Sequence, residues 1–209
     1  MVRTGMKYIG SYGSGGYEEK KSRFIGEVFP VHREEEVQAQ LNAVRKKYYD
    51  ARHHCYAYVI GPEYQIVRQS DDGEPSQTAG LPILNVLKGA EIHDALLVVT
   101  RYFGGTLLGT GGLVRSYTAA ARAALENADI LTAVTGFRAE AEIGYELLQR
   151  LRYLAEGLKV REEKIDYLEK VRISWLVPAE AMEKFQKQVQ EASGGSVVLA
   201  ISKAQWYNS

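Results

Sequence analysis

Ala95 to Ala128, ALLVVTRYFGGTLLGTGGLVRSYTAAARAALENA, divides into three parts of different physical character. Ala95 to Arg101 is a nearly continuous apolar run, which predicts a strand covered on both faces. Arg101 to Arg115 is rich in glycine, with Gly104, Gly105, Gly109, Gly111 and Gly112. Leu113 to Ala128 then predicts a long helix carrying Tyr117, Ala120, Ala121 and Ala124 on one side, and small residues there let a helix lie close on a sheet. A buried strand, a glycine-rich loop and a close-packing helix make a domain of mixed strands and helices the expectation.

Working back from this stretch, Pro82 to Lys88 places Ile83, Val86 and Leu87 at helical spacing, with Gly89 where a C-cap glycine belongs. Two β-rich runs, Cys55 to Ile60 and Tyr64 to Gln69, flank Gly61-Pro62-Glu63, which is hairpin chemistry. Glu34 to Tyr48 spaces Val37, Leu41, Val44 and Tyr48 as a helix, and its acidic first turn and basic last turn offset the helix dipole. Ser22 to Val31 is strand-like. Gly10 to Gly16, GSYGSGG, reads as a flexible turn or loop.

Beyond Ala128 the pattern changes to a compact alternation. It predicts a strand (Phe137 to Ile143), a helix (Glu146 to Glu156), two strands (Leu158 to Ile165, Leu168 to Val177), a helix (Ala179 to Ala192) and a strand (Ser196 to Ile201). A βαββαβ order in so short a stretch is the signature of a ferredoxin-like domain. The expected division is into two α+β domains, 1–134 and 135–209, with the boundary between Asp129 and Phe137.

Composition narrows the function classes. Lys plus Arg equals Asp plus Glu at 26 each, and the balance holds in both halves, so neither half is a polycation. Nucleic-acid binding would have to come from a local patch. A single cysteine, Cys55, excludes an internal disulfide and fits a reducing compartment. No apolar secretory segment is visible near the N-terminus, and the run from Ala95 to Thr100 is far too short to span a bilayer. The expectation is a cytoplasmic protein with no membrane partner.

Four constellations bear chemistry. The glycine-rich segment joins a buried strand to a helix, and free N–H groups at a helix start favour an anion; Arg101 and Arg115 would flank it. It is neither a Walker P-loop nor the dinucleotide fingerprint, and the same glycines equally suit a tight crossover with φ > 0. Asp71, Asp72 and Glu74 offer hard oxygen ligands for Mg²⁺ or Ca²⁺, against the commoner reading of a turn with solvated acids. His53-His54-Cys55 suggests a metal or thiol site, but adjacent strand residues point to opposite faces, so a structural role is the better reading. Lys20, Lys21 and Arg23, with Arg45, Lys46, Lys47 and Arg52, are candidates for a basic patch, and the 14 tyrosines supply stacking surfaces of the kind single-stranded RNA uses.

The runs Asp50 to Tyr58 (DARHHCYAY), Ser70 to Gly80 (SDDGEPSQTAG) and Arg101 to Arg115, with Lys21 to Ile25 (KSRFI) ahead of them, resemble the YigZ/IMPACT family closely. The resemblance implies that the first domain has the fold of the second domain of ribosomal protein S5. The residues from about 137 look like the bacterial members' C-terminal domain, which is similar to a ferredoxin-like domain of elongation factor G. Gln77 departs from the pattern, since many relatives have glycine or another small residue near this position. The family carries no settled enzymatic activity to transfer. Its eukaryotic members are linked to translational control through protein partners, but with an extra N-terminal domain that is not found here, so that contact is not implied. The expectation is a non-enzymatic protein that contacts the ribosome, RNA or a translation factor. The alternative is a phosphate- or nucleotide-binding enzyme or sensor that uses the glycine-rich loop with Mg²⁺, an S5-like fold being shared with kinases of small metabolites.

Overall fold

The computed structural model describes residues 5–61 and 64–208. The Pro62-Glu63 part of the expected hairpin turn lies outside the described residues. The chain forms two compact units, one within residues 6–132 and one within residues 133–208.

In the first unit the chain runs through β1 (Met6–Ser11), β2 (Gly13–Glu19), β3 (Ser22–Pro30), α1 (Glu34–Lys47), β4 (His53–Ile60), β5 (Ile66–Ser70), α2 (Gly80–Gly89), β6 (Ile92–His93), β7 (Ala95–Tyr102) and α3 (Gly109–Glu126). Five strands form an antiparallel sheet in the order β2-β3-β7-β4-β5. Strand β7 is central and fully buried from Ala95 to Val99, as its apolar run predicts. Leu97 and Val99 face α2 and α3 together with Cys55, Ala57 and Val59 of β4. Leu96 and Val98 face α1 together with Tyr58 and Ile60. The alternation of β4 therefore falls as its sequence requires.

Gly10 to Gly16 is not a loop. It contributes to β1 and β2, and two of its four glycines, Gly13 and Gly15, serve helix packing rather than a turn. A Cβ on Gly15 would lie 2.5 Å from the Ala123 backbone, and one on Gly13 would lie 2.6 Å from the Ala124 carbonyl. A Cβ on Gly26 of β3 would likewise run into the Ala120 carbonyl. Helix α3 thus lies directly on glycine backbone, which the small residues on its own side allow. Helix α3 also starts four residues earlier than its apolar spacing suggests, so Gly109, Gly111 and Gly112 belong to its first turn. Gly89 is the last residue of α2 rather than a left-handed cap; Ala90 caps the helix, and the left-handed residue beyond is Glu91 (φ 57°).

The next strand, β8 (Asp129–Ile143), occupies the stretch read as a boundary. In the second unit its residues from Ala133 onward are followed by α4 (Tyr145–Gly157), β9 (Arg161–Tyr167), β10 (Val171–Pro178), a 3-10 turn (Ala179–Ala181), α5 (Met182–Ala192), β11 (Ala200–Ile201) and β12 (Gln205–Asn208). Strand β8 pairs with β10 on one side and with β11 and β12 on the other, and β10 pairs with β9. The order β11-β8-β10-β9, all antiparallel, is the ferredoxin-like arrangement. Its last strand is only two residues long, where Ser196 to Ile201 was expected. Leu148 and Leu151 of α4 and Phe185 and Val189 of α5 pack on one face, against Ile173, Trp175 and Val177 of β10.

Candidate functional site

The register of the first unit's sheet gathers the sequence-predicted residues at one end of it. Arg23 stands opposite Tyr102, His53 opposite Arg101, and Tyr56 opposite Ser70. The starts of β3 and β4 and the ends of β5 and β7 therefore share one edge. The C-terminus of α1 leads into β4 at this edge, and the N-termini of α2 and α3 leave it a short loop after β5 and β7.

The acidic motif lies here but does not converge on a common point. Asp71 Oδ1 accepts the N–H groups of Ala79 (2.9 Å) and Gly80 (2.8 Å), which caps the start of α2, while Oδ2 accepts the N–H of Gln77 (2.8 Å). Asp72 accepts the N–H of His54 at 2.6 Å and lies 3.9 Å from Arg45. Glu74 is buried, and its Oε1 accepts from Arg101 Nη1 (2.6 Å) and from the Tyr117 hydroxyl (2.7 Å). Each carboxylate is committed to a different structural partner. Among the described residues no group of three or more His, Cys, Asp or Glu side chains is placed to hold a metal ion. Gln77, the departure from the family pattern, takes a left-handed φ of 63°, the conformation in which glycine is at ease.

Arg101 joins the acidic motif to the glycine-rich segment. It is buried with Glu74, and its Nε has no partner. Its guanidinium lies 5.5 Å from the ring centres of both Phe24 and Phe103. Tyr117 in turn accepts the Cys55 thiol at 3.3 Å. Burial raises the pKa of both the thiol and the phenol, so Cys55 is a small core residue rather than a nucleophile.

The glycines divide by purpose. Gly104 is packed on the Lys21–Ser22 backbone, where a Cβ would collide, and donates its N–H to Ser22 Oγ at 3.1 Å. Gly105 (φ 85°) and Gly109 (φ 71°) are left-handed. Gly112 is buried, and a Cβ there would press on Leu108 at 2.9 Å. Gly111 has no such requirement and is exposed in the first turn of α3. That helix has no side-chain cap.

The basic candidates fall into two groups. Lys47 is committed to Glu27, a carboxylate only 2% exposed, at 2.7 Å, and this bond raises the pKa of its ammonium. Arg45 is the cation 3.9 Å from Asp72. Lys20, Lys21, Lys46, Arg52 and Arg115 are not engaged in any hydrogen bond or ion pair among the described residues. They come from three places at this end: the β2–β3 turn, the last turn of α1 with the connection to β4, and the first turns of α3. Beside them are exposed aromatics that sequence reasoning did not single out. Tyr49 is 84% exposed, Phe103 is 53% exposed, and the Tyr102 ring is covered by Arg23 at 4.8 Å with its hydroxyl fixed on Asp50 at 2.7 Å. Their signal in the sequence was their position within two residues of a basic one, Tyr49 after Lys47 and Tyr102 and Phe103 after Arg101.

The comparisons with known proteins follow the same division of the chain. The Impact N-terminal domain matches residues 20–125, and a domain of unknown function, DUF1949, matches residues 142–196. IMPACT family member YvyE of Bacillus subtilis is 34% identical over 84% of this chain and 81% of its own length. IMPACT family member YigZ of Escherichia coli is 36% identical over 87% of this chain and 90% of its own length. A solved crystal structure of a hypothetical protein, 33% identical, superposes with a TM-score of 0.61 and covers 97% of this chain and all of that one. With one family domain spanning half its length and such relatives spanning most of it, the chain belongs to the IMPACT family.

Proposed function

We propose that the protein binds RNA of the translation machinery, as a non-enzymatic and regulatory ribosome-associated factor, through this end of the first unit's sheet. The observation that supports it is the gathering of unengaged cations Lys20, Lys21, Lys46, Arg52 and Arg115 beside the exposed rings of Tyr49 and Phe103, on a chain of zero net charge. Cations position a phosphate backbone, and rings stack on unpaired bases. The likeness of both domains to domains of translation proteins supplies the biological direction. A neutral chain binds through few phosphates, so its affinity is modest and local.

The test is equilibrium binding of a fluorescein-labelled RNA hairpin with an unpaired loop, and of purified ribosomes, across a salt series. For single-stranded contacts, log affinity should fall against log salt with a slope of about 0.7 per phosphate engaged. Lys46→Ala with Arg52→Ala should weaken binding and flatten the slope. If neither RNA nor ribosomes bind at low salt, while a nucleotide or sugar phosphate with Mg²⁺ raises the melting temperature, the small-molecule reading of the uncapped α3 N-terminus replaces this one.

A further inference from the structure

Strands β2 and β3 are joined by the tightest possible hairpin. Glu19 pairs with Ser22, which leaves Lys20 and Lys21 as the whole turn. Both have positive φ, 47° and 65°. A two-residue hairpin with φ > 0 at both positions is the type I′ turn, for which Asn-Gly is the favoured sequence. Two lysines stand where side chains with a Cβ are disfavoured. Both are exposed and neither has a partner, so no local contact compensates the strain.

The turn is also fixed in place. Gly104 packs on the Lys21–Ser22 backbone and bonds to Ser22 Oγ. The contact is to main chain, so it would survive any change of the two lysine side chains. The lysine turn is thereby held against the start of the glycine-rich loop.

We infer that Lys20 and Lys21 are the phosphate-contacting tip of the RNA site, kept in an unfavourable turn for their charge. The inference rests on the RNA reading above and singles out, from its five cations, the two that the backbone of this turn presents. Strained conformations persist where function needs them. Nothing in the packing asks for lysine at either position.

The test compares three proteins against the same labelled RNA hairpin: wild type, Lys20→Asn with Lys21→Gly, and Lys20→Arg with Lys21→Arg. The Asn-Gly variant should melt at a higher temperature than wild type yet bind RNA more weakly. Losing two contacts of about 0.7 in slope each reduces the salt slope by about 1.4, or about 25-fold in affinity at 0.1 M salt. The double-arginine variant should bind with the wild-type slope. An Asn-Gly variant with an unchanged slope overturns the inference and leaves the RNA reading standing. One that melts lower than wild type overturns the strain argument. A wild-type protein that does not bind at low salt removes the RNA reading, and the inference with it.

Discussion

Replacing Glu74 by Ala tests the join between the acidic motif and the glycine-rich segment. The Glu74 side chain is 3% exposed and that of Arg101 is 7% exposed, with 2.6 Å between Oε1 and Nη1. Removing one partner of such a pair strands a buried charge, at a cost of about 3–5 kcal/mol. The Tyr117 hydroxyl loses its acceptor in the same change. With a urea dependence of about 2 kcal/mol per molar, the unfolding midpoint should fall by about 2 M. Glu74→Leu with Arg101→Met removes both charges and should recover at least half of the loss, because a buried pair is often replaceable by apolar residues. As a control, Asp166→Ala breaks a bridge whose lysine is 71% exposed and should cost at most about 1 kcal/mol. Far-UV circular dichroism is the right probe, because both tryptophans, Trp175 and Trp206, lie in the second unit and their fluorescence reports that unit instead. A loss below about 1 kcal/mol for Glu74→Ala would show that Arg101 finds water or another acceptor, and the buried join would be wrong.

Gln77→Gly should stabilise the first unit by about 0.5–1 kcal/mol in the same urea titration, because it relieves a left-handed residue whose N–H, bonded to Asp71, is retained. Gly26→Ala should cost about 2–3 kcal/mol by forcing α3 off the sheet, whereas Gly89→Ala, with nothing within 4 Å, should be neutral or stabilising by up to about 1 kcal/mol. Burial, and then the hydrogen bond to Glu34, raise the Tyr58 phenol to about 12. Its neutral form is the one the fold favours, so this contribution is complete below the unfolded phenol's pKa of about 10 and is lost as pH rises from there to about 12. Urea midpoints measured across that window should fall with pH, and Tyr58→Phe should flatten the fall.

Helix α1 was legible because two independent signals agree on it. Val37, Leu41 and Val44 repeat at helical spacing, and the charges at both ends suit the dipole. Strand β7 was legible because a run apolar at every position has few alternatives. Glycine misled twice for one physical reason. In sequence it signals a turn, but at Gly13 and Gly15 it answers the close approach of α3, a partner more than ninety residues away in the chain. At Gly109 to Gly112 it occupies the first turn of a helix, where apolar spacing gives no signal. The acidic motif has the right donors for a cation, and only the three-dimensional partners show that Asp71 is a cap and Glu74 a buried counter-ion. The basic candidates were nameable from sequence, but not their division. Lys47 reaches a buried carboxylate on the sheet face that α1 covers, whereas its neighbour Lys46 on the same helical turn has none.

The most direct test of the central claim is to map the contact itself. Ultraviolet crosslinking of the wild-type protein to bound RNA, with peptides identified by mass spectrometry, would locate it to a few residues. The account predicts crosslinks in three segments, Lys20 to Arg23, Lys46 to Arg52 and Tyr102 to Phe103, all lost at high salt. Crosslinks confined to residues 133–208, or to the outer faces of α2 and α3 away from this end, would contradict it.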